Sequence, residues 1–387
     1  MIYVIRFFSY GVWGVVYPFL AVWLLGLRIF DEGAVGLVIG VSVIANRVGA
    51  LAFVRVVERY DKRLMIIISQ LVASGAAVGM HALSLGPTHS LGAWVAAGAV
   101  FGLASSVATL AQLAFIARQF PPQERKRAFS YENIALNIAG GVLPLLSAFV
   151  VVSVTGLYAL VPVLFATMGI VLAIRLPRDA RSGAADPEEA GAGEPRWPDA
   201  TVLLGFNFLT LLVYAQFYGV YPVYAVAAMS EQEIGLVFAA GSVAIVALQA
   251  FITRLSARAD DVRLIALANT AMAVGSLLLI FTAGGLPLAV LAVLGITIGE
   301  MIYGPLYQTL AVRVFRDRAT LAMGAVTFVW GVSESLAILV GLTLVGAGLG
   351  HVSFLIGAGS GLLVAGLVIA LRHRVARFGR VEVPSAG

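Results

Sequence analysis

Residues 286–312 read "LPLAVLAVLGITIGEMIYGPLYQTLAV", and Glu300 is the only charged side chain among them. A helix rises about 1.5 Å per residue and the hydrocarbon core of a bilayer is about 30 Å thick, so roughly 20 such residues suffice to cross it. The same kind of segment recurs along the chain. Sixty per cent of the residues are hydrophobic, 12% are charged, and the mean hydropathy is +0.98. Those values exclude a soluble globular domain. Twelve segments fit, near 3–27, 33–54, 64–84, 93–117, 128–152, 154–174, 200–227, 234–253, 264–284, 287–312, 321–347 and 352–371. They are too long for barrel strands and lack a period of two, so the sequence predicts an all-α membrane protein with twelve transmembrane helices.

A net charge of +5 would suit a nucleic-acid binder, but the positions of the charges exclude that reading. On the twelve-helix layout, 22 of the 25 Lys and Arg residues fall on one side, and only Arg6, Arg28 and Arg47 lie elsewhere. This positive-inside bias predicts a multi-pass protein with both termini in the cytoplasm. The first helix starts beside Met1 with no cleavage motif after it and reads as a retained helix. There is no cysteine, so disulfides and thiolate metal sites are excluded. The scarcity of Lys against Arg suggests a bacterial source, hence a bacterial plasma membrane.

One long polar stretch, rich in Pro, Gly and charge, interrupts the apolar pattern and reads as a flexible linker. The expected layout is a bundle of six helices at 1–175, a cytoplasmic linker at 176–199, a second bundle at 200–373 and a tail at 374–387. The two bundles repeat. "YPFLAV" (17–22) matches "YPVYAV" (221–226), and "ARQF" (117–120) matches "VRVF" (312–315). A shift of 199 positions aligns Gly36-Leu37-Val38 with Gly235-Leu236-Val237, Arg55 with Arg254, Arg59 with Arg258 and Asp61 with Asp260. Tandem six-helix repeats with matched basic loops are the pattern of two-bundle secondary transporters.

Three motifs give this pattern a family. "VRVVERYDKR" (54–63) resembles the loop between helices two and three of the major facilitator superfamily, with Val54 and Asp61 at its two glycine positions. "NIAGGVLPLLSA" (137–148) resembles that family's antiporter motif, with Ala139, Leu143, Ser147 and Ala148 replacing glycines. "GEMIYGP" (299–305) followed by "RDRATLAMG" (316–324) resembles helix ten and the next loop of its drug-exporter-like members. The resemblance covers the whole chain. It implies a monomeric secondary transporter of small molecules, working by rocking alternating access without a cofactor, whose motif loop exchanges salt bridges between the halves.

Several residues stand out as candidates. Glu300 lies thirteen residues from Arg313, roughly 20 Å along the helix, and Glu334 lies sixteen from Arg318, roughly 24 Å. Both therefore sit near the bilayer midplane. A charge there costs at least about 2.5 kcal/mol, so such groups face a cavity, pair, or take up a proton. Desolvation disfavours the charged form of a carboxylate, which suits a proton carrier; a protonated structural glutamate bonding a neighbouring helix is the alternative. Arg47, roughly 12 Å inside Arg55, is a third buried charge, either in a cavity or paired, for instance with Glu132. Trp13, Tyr218, Tyr221, Tyr303 and Tyr307 offer aromatic walls, with Gln249, Asn46 and Asn137 as polar liners. Such walls suit lipophilic or cationic organic compounds; packing or an interfacial belt is the competing reading. Arg55, Glu58, Arg59 and Asp61, with Arg254, Arg258 and Asp260, form the expected cytoplasmic gate.

No P-loop, HExxH or GxSxG pattern is present, and the four histidines are scattered, so neither an enzyme nor a metal site is expected. The leading expectation is proton-coupled efflux of small lipophilic or amphipathic compounds. Transport of a specific metabolite such as a sugar, peptide or organic acid is the first alternative. A non-transporting membrane receptor or scaffold is the second.

Overall fold

A computed structural model of the chain describes residues 1–16, 20–30, 32–86, 90–153, 160–177, 194–225, 227–282, 285–316 and 318–378. Tyr17, most of the linker and the end of the tail lie outside these residues, as do the side chains of Trp13 and of 141–150. The helices, in chain order, are α1 (Ile2–Val16), α2 (Leu20–Gly26), α3 (Glu32–Ala52), α4 (Val54–Arg59), α5 (Lys62–Leu85), α6 (Leu91–Gln119), α7 (Pro122–Ser153) and α8 (Val161–Ala173). They continue with α9 (Trp197–Ala215), a π-helical turn (Gln216–Val220), α10 (Tyr221–Ala225), α11 (Glu231–Ser256) and α12 (Asp261–Leu279). The last four are α13 (Leu286–Val314), α14 (Ala319–Gly346), α15 (Gly350–Ala370) and α16 (Arg372–Phe378). No strand occurs among the described residues.

Helices follow from the solvent, because in lipid a chain must satisfy its own backbone donors and acceptors. Among the described residues, eight helices are long and apolar enough to cross a membrane: α5, α6, the run from α9 to α10, and α11 to α15. Much of the apolar surface of α14 is left uncovered by the rest of the described protein. Local sequence marks the starts. Ser230 and Glu233 form a capping box at α11, Asp61 caps α5 and Asp260 caps α12, while Pro198 and Pro287 sit in first turns where no donor is lost.

The helices gather into two compact units. The first comprises Met1–Gln119, Ala135–Gly191 and Met323–Phe328; the second comprises Phe120–Ile134, Ala192–Ala322 and Val329–Gly387. The first unit packs around Trp23, Trp94, Phe101, Val38 and Met80, with the two tryptophan rings 5.7 Å apart. The second packs around Phe217, Tyr221, Val293, Ile296 and Phe354. Each uses a glycine pair four residues apart to bring helix backbones together. A Cβ on Gly102 of α6 would strike the Ser42 carbonyl of α3, and one on Gly299 of α13 would strike Ala268 and Met272 of α12.

Candidate functional site

Glu300 lies on α13, only 6% exposed, and its Oε2 accepts a hydrogen bond from the Tyr218 hydroxyl at 3.3 Å. Tyr218 belongs to the π-helical turn, and the sequence explains why the helix opens there. Pro222 has no N–H and its ring crowds the carbonyl four residues back, while Gly219 lets the chain pass Ile338 of α14, where any Cβ would collide. The amide of Tyr221 accordingly reaches back five residues to the Gln216 carbonyl. π-turns of this kind are frequent at functional sites.

The widened turn sorts the aromatic stripe of α9. Tyr214 and Tyr218 stack with centroids 4.5 Å apart, Trp330 of α14 stands edge-on to Tyr214 at 5.7 Å, and Phe217 and Phe238 back Tyr218 at 4.8 and 5.9 Å. Tyr218 remains 39% exposed. Tyr221, expected on the same face, is instead fully buried in the core, with its hydroxyl on the Met229 sulfur.

Tyr303 and Tyr307 also turn inward. Tyr303 donates to Asn207, and Tyr307 lies 3.4 Å from the Thr210 hydroxyl, which itself donates to Asn269 at 2.8 Å. Gln249 is buried and committed as well. It accepts from Asn133 at 2.9 Å and donates to Thr253 and to the Met301 carbonyl. That carbonyl needs a donor because Pro305, four residues later, has none to give. Tyr221, Tyr303, Tyr307 and Gln249 are thus buried in this structure, with their polar groups bonded inside the second unit.

The first unit repeats this device. Gln70 and Gln112 both donate to the Ser9 hydroxyl, tying α5 and α6 to α1. Gln70 and Asn269 stand 199 positions apart, the register of the sequence repeat. Arg6, 5% exposed, donates to Thr109 at 3.3 Å. Arg47 and Asn137 are half-buried on α3 and α7, and the Asn46 amide donates to the Gly102 carbonyl at 3.2 Å. Glu334 is half-buried on α14, one turn beyond Trp330.

The matched loop acids have a local role. Asp61 accepts from the Arg63 amide at 2.8 Å and Asp260 from the Arg263 amide at 2.9 Å, each satisfying an orphan donor at a helix start. Arg55, Arg59, Arg254 and Arg258 are exposed, and Glu58 is half-buried. Nearby, the start of α7 runs along α11 as a polar ladder. Lys126 donates to the Ser256 carbonyl at 3.1 Å, Ser130 and Thr253 share a bond at 2.6 Å, and Asn133 meets Gln249. Burial lowers the pKa of the Lys126 ammonium, Asp261 opposes that shift, and Arg313, itself 3.8 Å from Asp261, adds to it.

Sequence reasoning missed this ladder, Arg6 and Trp330. Arg6 had a signal, as one of three cations off the basic side. Trp330 had one in its i, i+4 spacing to Glu334.

A family model described as Major Facilitator Superfamily matches residues 2–206. No curated protein sequence matches the chain. The fold is similar to the crystal structure of the human organic anion transporter MFSD10 (TETRAN), with a TM-score of 0.74 at 15% identity over 95% of this chain and 97% of that one. It is similar to the proton:xylose symporter XylE bound to 6-bromo-6-deoxy-D-glucose, with a TM-score of 0.75 at 14% identity over 95% and 94%. It also resembles the transporter FucP in the outward conformation, with a TM-score of 0.71 at 12% identity over 96% and 98%.

Proposed function

The chain belongs to the major facilitator superfamily, and from that premise we propose that it exports small lipophilic or amphipathic compounds in exchange for protons, by alternating access. The observation that carries this reading is the Glu300 carboxylate, buried near the middle of α13 yet bonded to the half-open Tyr218 hydroxyl. A carboxylate in that setting has two accessible states. Neutral, it holds a proton at low desolvation cost; charged, it keeps the hydrogen bond that Tyr218 donates. Alternating exposure of the site to the two sides of the membrane then couples proton flow to solute flow.

Glu334 is the second candidate carrier, with Arg47 a cavity charge and Trp13 and Asn137 cavity liners. Arg55, Glu58, Arg59, Arg254 and Arg258 act as the cytoplasmic gate, on loops pinned by the Asp61 and Asp260 caps. The protein works as a monomer of twelve spanning helices in two bundles, 1–175 and 200–373, in a bacterial plasma membrane. Both termini, the linker 176–199 and the tail 374–387 face the cytoplasm.

The test uses proteoliposomes loaded with a pH-sensitive dye and a panel of amphiphiles and metabolites. Wild type moves protons when substrate is added, and Glu300→Gln or Glu334→Gln abolishes that movement. Normal proton movement in both variants would sink the mechanism.

One observation keeps transport of a specific metabolite as a second reading: α7 carries Ala139, Leu143, Ser147 and Ala148 where the antiporter motif has glycines. Structural neighbours of the chain include a proton:xylose symporter and an organic anion transporter. A strain lacking the protein separates the readings. Increased sensitivity to lipophilic toxins supports export, and impaired growth on one nutrient supports uptake.

A further inference from the structure

We propose that Tyr214, Tyr218, Trp330 and Glu300 form a binding site for an organic cation, a reading that rests on the transporter assignment and narrows its substrate class. Four observations converge on it. The rings of Tyr214 and Tyr218 lie with centroids 4.5 Å apart, tilted by 36°, and Trp330 closes the cluster edge-on at 5.7 Å. Phe217 and Phe238 hold Tyr218 from behind. The Tyr218 hydroxyl reaches Glu300 at 3.3 Å. Finally, the π-helical turn that presents Tyr218 is fixed by Pro222 and by the fit of Gly219 against Ile338.

On this proposal the exposed side of Tyr218, 39% of the residue, faces the solute pathway. Its hydroxyl is bonded to a carboxylate roughly 20 Å from the cytoplasmic end of α13, and a carboxylate at that depth is tolerated only beside a cavity or a partner. Two kinds of group here can attract a cation. The faces of Tyr and Trp rings carry the negative lobe of the ring quadrupole, and Glu300 supplies a full charge when ionised. A cation within about 6 Å of such rings is attracted, while an anion of the same shape is repelled by rings and carboxylate alike. The rings also give the ligand an apolar surface to bury, so the favoured guest is a bulky cation whose charge is spread over, or shielded by, hydrocarbon.

The ion pair tetraphenylphosphonium and tetraphenylborate tests the charge, since the two are nearly alike in size and shape and differ in sign. Equilibrium dialysis of each against the purified full-length chain in detergent measures binding. Tetraphenylphosphonium should bind and tetraphenylborate should not. Trp330→Ala and Tyr214→Leu should each weaken cation binding by about fivefold, the size of one cation–π contact, and Trp330→Phe should recover part of it. Glu300→Gln should weaken it by about tenfold or more and narrow the preference for the cation. Tyr307→Phe, inside the bundle, should leave it unchanged.

Equal binding of the two ions, or cation binding indifferent to Trp330→Ala, overturns the proposal. The same preparation in liposomes separates its failure from that of the transport reading. Proton movement driven by neutral amphiphiles with no preference for the cation sinks the site and leaves the transporter. Charge-selective, Trp330-dependent binding with no solute-driven proton movement keeps the site and sinks proton-coupled export.

Discussion

At the scale of single residues, polar groups in the membrane interior are explained by what they satisfy. Gln249 is the clearest case. A glutamine in an apolar helix reads equally well as a cavity liner or as a structural bond, and only the position of Pro305 decides. Proline removes the donor that would have served Met301, and the Gln249 amide supplies one from α11 at 2.9 Å. Gln249→Leu should therefore destabilise the protein by about 1–3 kcal/mol, the cost of a buried carbonyl left without a donor. In a Pro305→Ala background the missing backbone N–H is restored, and the same substitution should cost clearly less. A double-mutant cycle read from detergent unfolding midpoints measures the difference, and strictly additive effects would refute the pairing. Asp61 and Asp260 carry the same lesson. Their matched positions beside arginines suggested a gate, yet a carboxylate that starts a helix has nearer work to do on the next amides.

At the scale of elements, the interruption of α9 decides what its aromatic residues do. Tyr214, Tyr218 and Tyr221 fall at i, i+4 and i+7, so an unbroken helix would place all three on one face. The π-helical turn keeps the first two together and sends Tyr221 into the core. Pro222 was visible in the sequence, but the second cause, Gly219 against Ile338, exists only once α9 and α14 are packed. For that reason Glu300 and Tyr218 were legible as candidates, whereas their bond, and the separate fate of Tyr221, were not. Trp330 was harder still, because its i, i+4 spacing to Glu334 carries little meaning until Tyr214 stands beside it. The fit at Gly219 can be tested directly. Gly219→Ala should push α14 away and cost about 1–3 kcal/mol, as overpacking does. Ile338→Ala should recover much of that loss when combined with it, although alone it leaves a gap. If the double variant is as unstable as the sum of the two, the contact does not set the geometry of the turn.

At the scale of the whole molecule, the repeat is the feature that sequence and structure express most alike. The register of 199 that aligned the basic loops also relates Gln70 to Asn269, each bonded to a hydroxyl on the first helix of its own half. Asp61 and Asp260 cap equivalent helices in the same register. Less legible was the grouping of Phe120–Ile134 with the second unit and Met323–Phe328 with the first. A repeat fixes which segments correspond, and says nothing about which neighbours each will choose. Orientation, by contrast, rests wholly on charge. Arginine-rich loops are expected to stay on the cytoplasmic side, because moving their guanidinium groups through hydrocarbon is costly, and 22 of 25 basic residues fall on one side of the twelve-segment layout proposed from the sequence. The chain has no cysteine, so any introduced thiol is the only one present. Ser182→Cys in the linker and Ser385→Cys in the tail should react with a membrane-impermeant maleimide in inverted vesicles and not in intact cells. Ala228→Cys, between α10 and α11, should react in intact cells instead. Labelling of the linker and the tail from opposite sides would mean an odd number of spans in the second half. Labelling of both from outside would reverse the topology and place the arginine loops beyond the membrane, so that the charge bias could no longer be what orients the chain.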